Sequence, residues 1–338
     1  MAGLSKIPSA GFQDNVKFRN IIINGDMSIA QRGTSATGIT SNTYATVDRF
    51  RTVASSLGTW TQSQSTDVPS GQGFISSLKM DCTSANASPS ASSNLSIQQK
   101  FEGQNLQYLK KGTSNATSLT LSFWVKSNKT GTYIAEFFDN DNARQISQAY
   151  TISSANTWEK KTLTYDGDTS GALGNDNGNS LLVQFWLGTG SNYSSGTLST
   201  TWTANTNTNR APGQVNLADS TSNEWYITGV QLEAGTTASD FEFLPYDLNL
   251  QRCQRYCNAL MDYGDGDVIG NRLYNADYLS TAGFVRMSIP RMRIQPTLTY
   301  TVFGGAVDGD YGSPDLIQLY DSNDNGWRIY DILAEAEL

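Results

Sequence analysis

Two tryptophans carry the most suggestive chemistry in this chain. Trp124 stands in the run Leu-Thr-Leu-Ser-Phe-Trp-Val-Lys (119–126) and Trp186 in Leu-Leu-Val-Gln-Phe-Trp-Leu (181–187). Apolar residues alternate in both runs. A β-strand would therefore turn Leu119, Leu121, Phe123 and Val125, or Leu181, Val183, Phe185 and Leu187, to one face. Each Trp then falls on the other face, beside Ser122 or Gln184. An outward indole with polar neighbours suits a sugar ring, whose apolar C–H face packs on the aromatic plane while nearby groups bond its hydroxyls. Trp202, Tyr193 and Tyr226 are further candidates of this type. Trp202, set among Thr and Asn, is expected to be the most available. The competing expectation is that a loop, a second layer or a neighbouring subunit covers these rings, because large outward aromatics mark interfaces in general.

Oxygen-rich clusters are the second chemistry. Ca²⁺ takes several oxygen ligands and needs neither His nor Cys. Asp139 and Asp141 with Asn140 and Asn142, residues 166–168 with Asp176, and Asp262, Asp265 and Asp267 could hold a structural Ca²⁺. Asp321, Asn323 and Asn325 before Gly326 match the first half of an EF-hand loop, but Ile332 stands where the bidentate Glu belongs. Such Asp/Asn/Gly strings also serve as plain solvated turns. A glycosidase needs only two carboxylates. Glu136, Asp139 and Asp141, or Glu233 with Asp240 and Glu242, are the first to consider, though no spacing singles out a pair. An enzyme is not the expectation.

What is missing narrows the field further. The 338 residues include no His, so Ser-His-Asp and Cys-His nucleophile systems and HExxH zinc sites are excluded. With 23 Lys+Arg against 31 Asp+Glu, the net charge is −8, and a pI near 4.6 speaks against binding nucleic-acid phosphates or an anionic membrane. No apolar run approaches a membrane span, and residues 1–17 lack the pattern of a signal peptide. Cys82, Cys253 and Cys257 fit neither a disulfide framework nor a zinc site and read as reduced, small apolar residues.

The elements that must position these residues fall into three zones. Residues 1–19 read as an extended attachment arm. Residues 20–246 show short strands between polar loops, the pattern of a jelly-roll-like antiparallel β-sandwich. Beside the two Trp-bearing runs, strands are expected at 133–138, 158–165 and 224–232. Loops 166–180 and 188–216 are too polar for a core and should cap the sandwich or meet another chain. Residues 247–338 read as one helix plus a small β-rich (α+β) domain. The helix is expected from Asp247 as N-cap to about Met261, with Leu250, Cys253, Cys257 and Leu260 as its apolar stripe and Gly264 and Gly266 ending it. Strands follow at 283–289 and 297–303.

Four segments resemble, in order, a family of tailed-bacteriophage virion proteins of tail-fibre or receptor-binding type. They are Asn-Ile-Ile-Ile-Asn-Gly-Asp-Met-Ser-Ile-Ala-Gln-Arg-Gly (20–33) with Thr-Val-Asp-Arg-Phe (46–50), then the 119–132 run. Thr-Gly-Val-Gln-Leu-Glu-Ala-Gly (228–235) follows with Phe-Glu-Phe-Leu-Pro-Tyr (241–246) and Cys-Gln-Arg-Tyr (253–256), and finally 287–299 with Gln-Pro-Thr. The resemblance implies a carbohydrate-binding-module-like sandwich, a place on the virion and a homotrimer, and it brings no catalytic motif. Within these segments Asn24-Gly25-Asp26 is a turn signal, and Gln31-Arg32 with Asp48-Arg49 suggests an Asp–Arg pair fixing the start of the fold. The expected function is attachment to host surface polysaccharide, with other virion proteins as partners. The alternatives are a head decoration or tail adaptor protein without a receptor, and a glycan hydrolase.

Overall fold

The computed structural model describes residues 18–260, 283–303, 309–321 and 328–338. Most of the expected arm, Asn323, Asn325, Asp262, Asp265, Asp267 and the two helix-ending glycines lie outside these residues.

Two six-stranded antiparallel sheets face each other. Sheet I runs, in spatial order, β1 (Ser35–Ile39), β3 (Thr59–Ser65), β4 (Ser77–Ser84), β12 (Glu224–Ala234), β6 (Leu119–Ser127) and β9 (Glu159–Tyr165). Sheet II runs β11 (Thr203–Ala204), β8 (Arg144–Ile152), β7 (Gly131–Asp139), β10 (Asn179–Thr189), β5 (Asn94–Glu102) and β2 (Arg51–Ser55). Alternation dictates the sandwich: Phe123 and Val125 from sheet I and Val183, Phe185 and Phe137 from sheet II are fully buried in one core. Phe123 meets the Phe185 ring edge-on at 5.1 Å across it. The fold is thus a jelly-roll-like antiparallel β-sandwich, as the strand patterns predicted. The register of β12 on β6 shifts between Thr228 and Gln231. Gly229 sits there at φ +60°, and a Cβ would fall 2.5 Å from Phe74 Cζ, so only glycine fits beneath that ring.

The helix differs from its expectation. A short helix, α1 (Ser191–Ser194), precedes it in the chain, and α2 spans Tyr246–Gln254 with Pro245 as N-cap and Asp247 inside the first turn. Cys257 does not continue it. Residues Cys257–Leu260 form β13, paired with β18 (Arg328–Glu335) through Cys257 and Glu335. A four-residue apolar spacing satisfies a helix and a turn-then-strand equally well, and a ladder partner more than seventy residues away decided between them. All three cysteines are free and buried.

The chain then forms two three-stranded sheets: β13, β18 and β15 (Thr297–Phe303), and β14 (Gly283–Ser288), β17 (Leu316–Asp321) and β16 (Gly309–Ser313). Ile289, Met292, Ile317, Leu319 and Ile332 make their core.

Buried charge joins this unit to the sandwich. Asn24 caps the turn by bonding Ile29 through both its side-chain atoms, and Gln31 and Arg32 approach Asp48, the latter at 3.8 Å. Arg32 then reaches Glu335 at 2.8 Å and Glu337 at 3.2 Å, and Arg49 pairs with Glu337. From α2, Arg255 grips Glu102 of β5 with two bonds of 2.7 Å, joined by the Tyr256 hydroxyl at 2.5 Å. Burial, which pushes the Glu102 carboxyl up, is outweighed by those hydrogen bonds, and its pKa falls below the usual range. Three of the segments quoted for their resemblance, 20–33, 46–50 and 253–256, thus contribute residues to the clamp between the two units.

Candidate functional site

The outward face of sheet I gathers aromatic and charged side chains from β4, β6, β12 and the start of β9. Antiparallel register sets Tyr226 of β12 between Lys126 of β6 and Lys79 of β4, and Trp124 between Thr228 and Lys160. Trp158, one position before β9, continues the outward series of that strand. Its ring stands 6.1 Å from Tyr226 in an edge-on arrangement. Lys126 Nζ lies 4.3 Å from the Tyr226 centroid and 5.6 Å from that of Trp158.

The loop between β3 and β4 closes one side. Asp67 accepts from Trp158 Nε1 at 2.9 Å and pairs with Lys126. On the other side the Tyr226 hydroxyl donates to Glu224 Oε2 at 3.0 Å, and Lys79 meets the same oxygen at 2.5 Å. Burial and then the Glu224 bond push the Tyr226 hydroxyl up to about 12, so it stays a donor at neutral pH. Burial opposes ionisation of Asp67, but the bonds from Lys126 and Trp158 prevail and keep it charged. Trp124 and Trp158 are half-buried and Asp67 is exposed, while Tyr226 is buried as the floor. The result is a shelf in which Trp158, Tyr226, Asp67 and Lys126 hold one another, with Trp124 two residues along β6 from Lys126 on the same face. Such a surface can stack a pyranose ring and bond its hydroxyls without first ordering its own side chains.

Of the five aromatic candidates, Trp124 and Tyr226 share this face. Trp186 does not offer one. It points away from the core as expected, but it is only 2% exposed beneath the 190–216 loop, where Tyr193, Leu198 and Ala211 pack on it. Trp186 Nε1 donates to Glu136 at 2.8 Å, and Arg210 of the loop binds that carboxylate at 2.8 and 3.2 Å. Tyr193 is half-buried in the same cover, 5.4 Å from the Trp186 ring. Trp202, expected to be the freest, is half-buried against the main core and donates to the Asp166 carbonyl at 2.7 Å. A loop rich in Thr and Asn can hide an indole when it saturates its own backbone, as this one does through Gln145 and Ser147 of β8.

Trp158, Asp67 and Lys126 escaped the sequence reading. Counting back by twos from Thr164 and Thr162 places Trp158 on the outward face, so that signal existed. Nothing local marks Asp67.

Among the described residues the oxygen clusters are engaged from within. Asp139, fully buried, and Asp168 both receive Lys111, at 2.9 Å for Asp168, and Arg144 adds two bonds of 2.6 and 2.9 Å to Asp168. An ammonium thus stands where a cation was expected. Burial pushes Asp168 up, yet the Arg144 and Lys111 bonds outweigh it and lower its pKa. Asp141 accepts from the Gly174 amide at 2.8 Å, and Asp321 ends β17. Among the described residues no group of three or more His, Cys, Asp or Glu is arranged to hold a metal. The carboxylates considered for hydrolysis are likewise engaged: Glu136 by Arg210, Glu233 by Gln231 at 2.9 Å, and Glu242 by the Asn20 amide at 3.0 Å.

No protein-family model and no curated protein matches the chain. Several solved structures are similar to it in fold. The enzymatically active domain of tailspike protein 4 from bacteriophage CBA120 aligns at 14% identity and a TM-score of 0.33, over 64% of this chain but only 21% of that one. TmCBM61 in complex with β-1,4-galactotriose aligns at 9% identity and 0.31, over 64% and 99% of the two chains. A putative sugar-binding protein from Bacteroides thetaiotaomicron aligns at 11% identity and 0.34, over 64% and 99%.

Proposed function

We propose that this chain is a glycan-binding virion protein of the tail-fibre or receptor-binding type, which attaches a tailed bacteriophage to host surface polysaccharide. The observation that carries the binding part is the Trp158–Asp67 bond beside Tyr226 and Trp124, an aromatic shelf held open on the outer face of a sheet. The virion part rests on the sequence resemblance of the clamp segments. Binding, not catalysis, is the reading, because Glu136, Asp139, Asp141, Glu233 and Glu242, among the carboxylates considered for hydrolysis, are each bound to a neighbour. The 1–19 arm would dock the protein to the particle, residues 20–246 would present the shelf, and a homotrimer would add avidity to weak single sites.

The test is a polysaccharide array probed with the purified full chain, alongside Trp158→Ala and Trp124→Ala. Binding to a host-surface polysaccharide that falls at least tenfold in both variants supports the reading. If the folded protein binds none, the decoration or adaptor alternative takes its place. Release of reducing ends from the bound glycan would replace binding with hydrolysis.

A further inference from the structure

Lys111 is the most deeply buried lysine among the ion pairs of the described residues. Its side chain is 6% exposed, against 11% or more for Lys79, Lys126, Lys129 and Lys161. It stands in the loop between β5 and β6 and meets two carboxylates from separate elements. Asp139 is the last residue of β7, and Asp168 lies in the loop after β9. Their side chains are 0% and 3% exposed. This cluster shares no residue with the shelf on sheet I and does not depend on it.

The geometry around the ammonium is that of a reacting pair. Lys111 Nζ lies 2.9 Å from Asp168 Oδ2 and donates to the Gly171 carbonyl at 2.9 Å. The Trp202 ring covers it, with its centroid 5.0 Å from Nζ. A main-chain bond of 2.8 Å from the Gly112 amide to the Asp168 carbonyl fixes the two loops against each other. Asp139 is held as firmly. Asn142 gives its amide N–H to Oδ1 at 3.0 Å and its side-chain nitrogen to Oδ2 at 2.9 Å. Donors on both oxygens draw electron density from Cγ, as they do at an oxyanion hole. A lysine nitrogen in contact with such a carboxyl, away from water, has the high effective concentration that makes an intramolecular step fast.

The charges favour the same step. Two opposite charges buried together are costly to desolvate, and a neutral amide in their place carries no such cost. Losing them strands nothing, because Arg144 still neutralises Asp168 with two bonds.

We propose that Lys111 and Asp139 condense to an amide cross-link, with Asp168 as the acid–base group. One ammonium proton passes to Asp139 Oδ2, and the neutral Nζ attacks Cγ. Asp168 takes a second proton from Nζ and delivers it to the same departing oxygen. The Nζ–Cγ bond forms, the Cγ–Oδ2 bond breaks, one proton stays on the amide nitrogen and one water leaves. Asp168 ends as the carboxylate that Arg144 holds, nothing is oxidised or reduced, and no further reactant is needed. The link joins positions 28 residues apart, which restricts the unfolded chain and so stabilises the native state.

The test is the intact mass of the denatured full chain after folding at neutral pH, alongside Lys111→Arg and Asp168→Asn. The parent should fall short of its sequence mass by one water. Its tryptic digest should contain a branched species joining the peptide with Lys111 to the peptide with Asp139, with cleavage after Lys111 lost. Lys111→Arg and Asp168→Asn should each have their full sequence mass. The parent mass decides the cross-link whatever the stability of the variants, and the unfolding transition of Asp168→Asn establishes that its result is read on folded protein. The proposal is overturned if the folded parent has its full sequence mass, if the missing water maps to another pair of residues, or if Asp168→Asn condenses like the parent.

Discussion

The Arg49 guanidinium lies 3.5 Å above the Tyr256 ring, joining a loop before β2 to the turn after α2. It also donates to the Lys100 carbonyl at 2.7 Å and pairs with Glu337, so one buried side chain ties the sandwich, the helix and the last strand's exit together. Arg49 is 1% exposed, which makes its charge dependent on those partners.

Arg49→Leu should therefore destabilise the protein by about 2–3 kcal/mol, because it leaves the buried Glu337 to Arg32 alone and the Lys100 carbonyl without its donor. Urea unfolding followed by tryptophan fluorescence measures it. An effect under about 1 kcal/mol would mean that the clamp contributes little.

Trp186 and Trp158 should separate stability from binding. Trp186→Ala removes a covered indole and one donor to Glu136, which keeps Arg210 and Gln184, and a loss of about 3–5 kcal/mol is expected with polysaccharide affinity per folded molecule unchanged. Trp158→Ala should cost about 1 kcal/mol in stability. Its polysaccharide affinity should fall at least tenfold, about 1.4 kcal/mol.

Lys111 should do the work of a metal ion. Chelation with EDTA is expected to leave the melting temperature unchanged. Lys111→Ala leaves Asp139 and Asp168 facing each other with Arg144 alone, and should cost about 3 kcal/mol or more. Differential scanning calorimetry with and without added Ca²⁺ distinguishes the cases: a Ca²⁺-dependent rise in the parent protein would restore the metal site.

Asp48 gives a pH signature. Burial raises its pKa from 3.8 to about 6, although Arg32 and Gln31 pull the other way. Between pH 4 and 6 the native state thus holds a proton that the unfolded state has released, so this group's contribution is full below pH 4 and fades as pH rises through 6. The stability of Asp48→Asn relative to the parent should shift in the variant's favour across that window. A flat difference from pH 4 to pH 7 in paired denaturant titrations would contradict it.

Residues 119–126 and 181–187 announced their strands because a two-residue period allows one answer to which side chains are buried. The turn at Asn24 was legible for a similar reason, since it is made within six residues. The span of α2 was not: Cys253 and Cys257 fit a helix by spacing, and the ladder to β18 lies outside any local window. The same division holds for the site. Alternation alone determined that Trp124 and Trp186 face away from the core. Whether an outward ring meets solvent depends on which loop folds over it, and loop position is set by long-range pairs such as Arg210 with Glu136 and Asp67 with Trp158. Those pairs span 74 and 91 residues. Local sequence encodes the face of a strand through backbone geometry, while cover and charge neutralisation come from partners that only tertiary folding brings within hydrogen-bond reach.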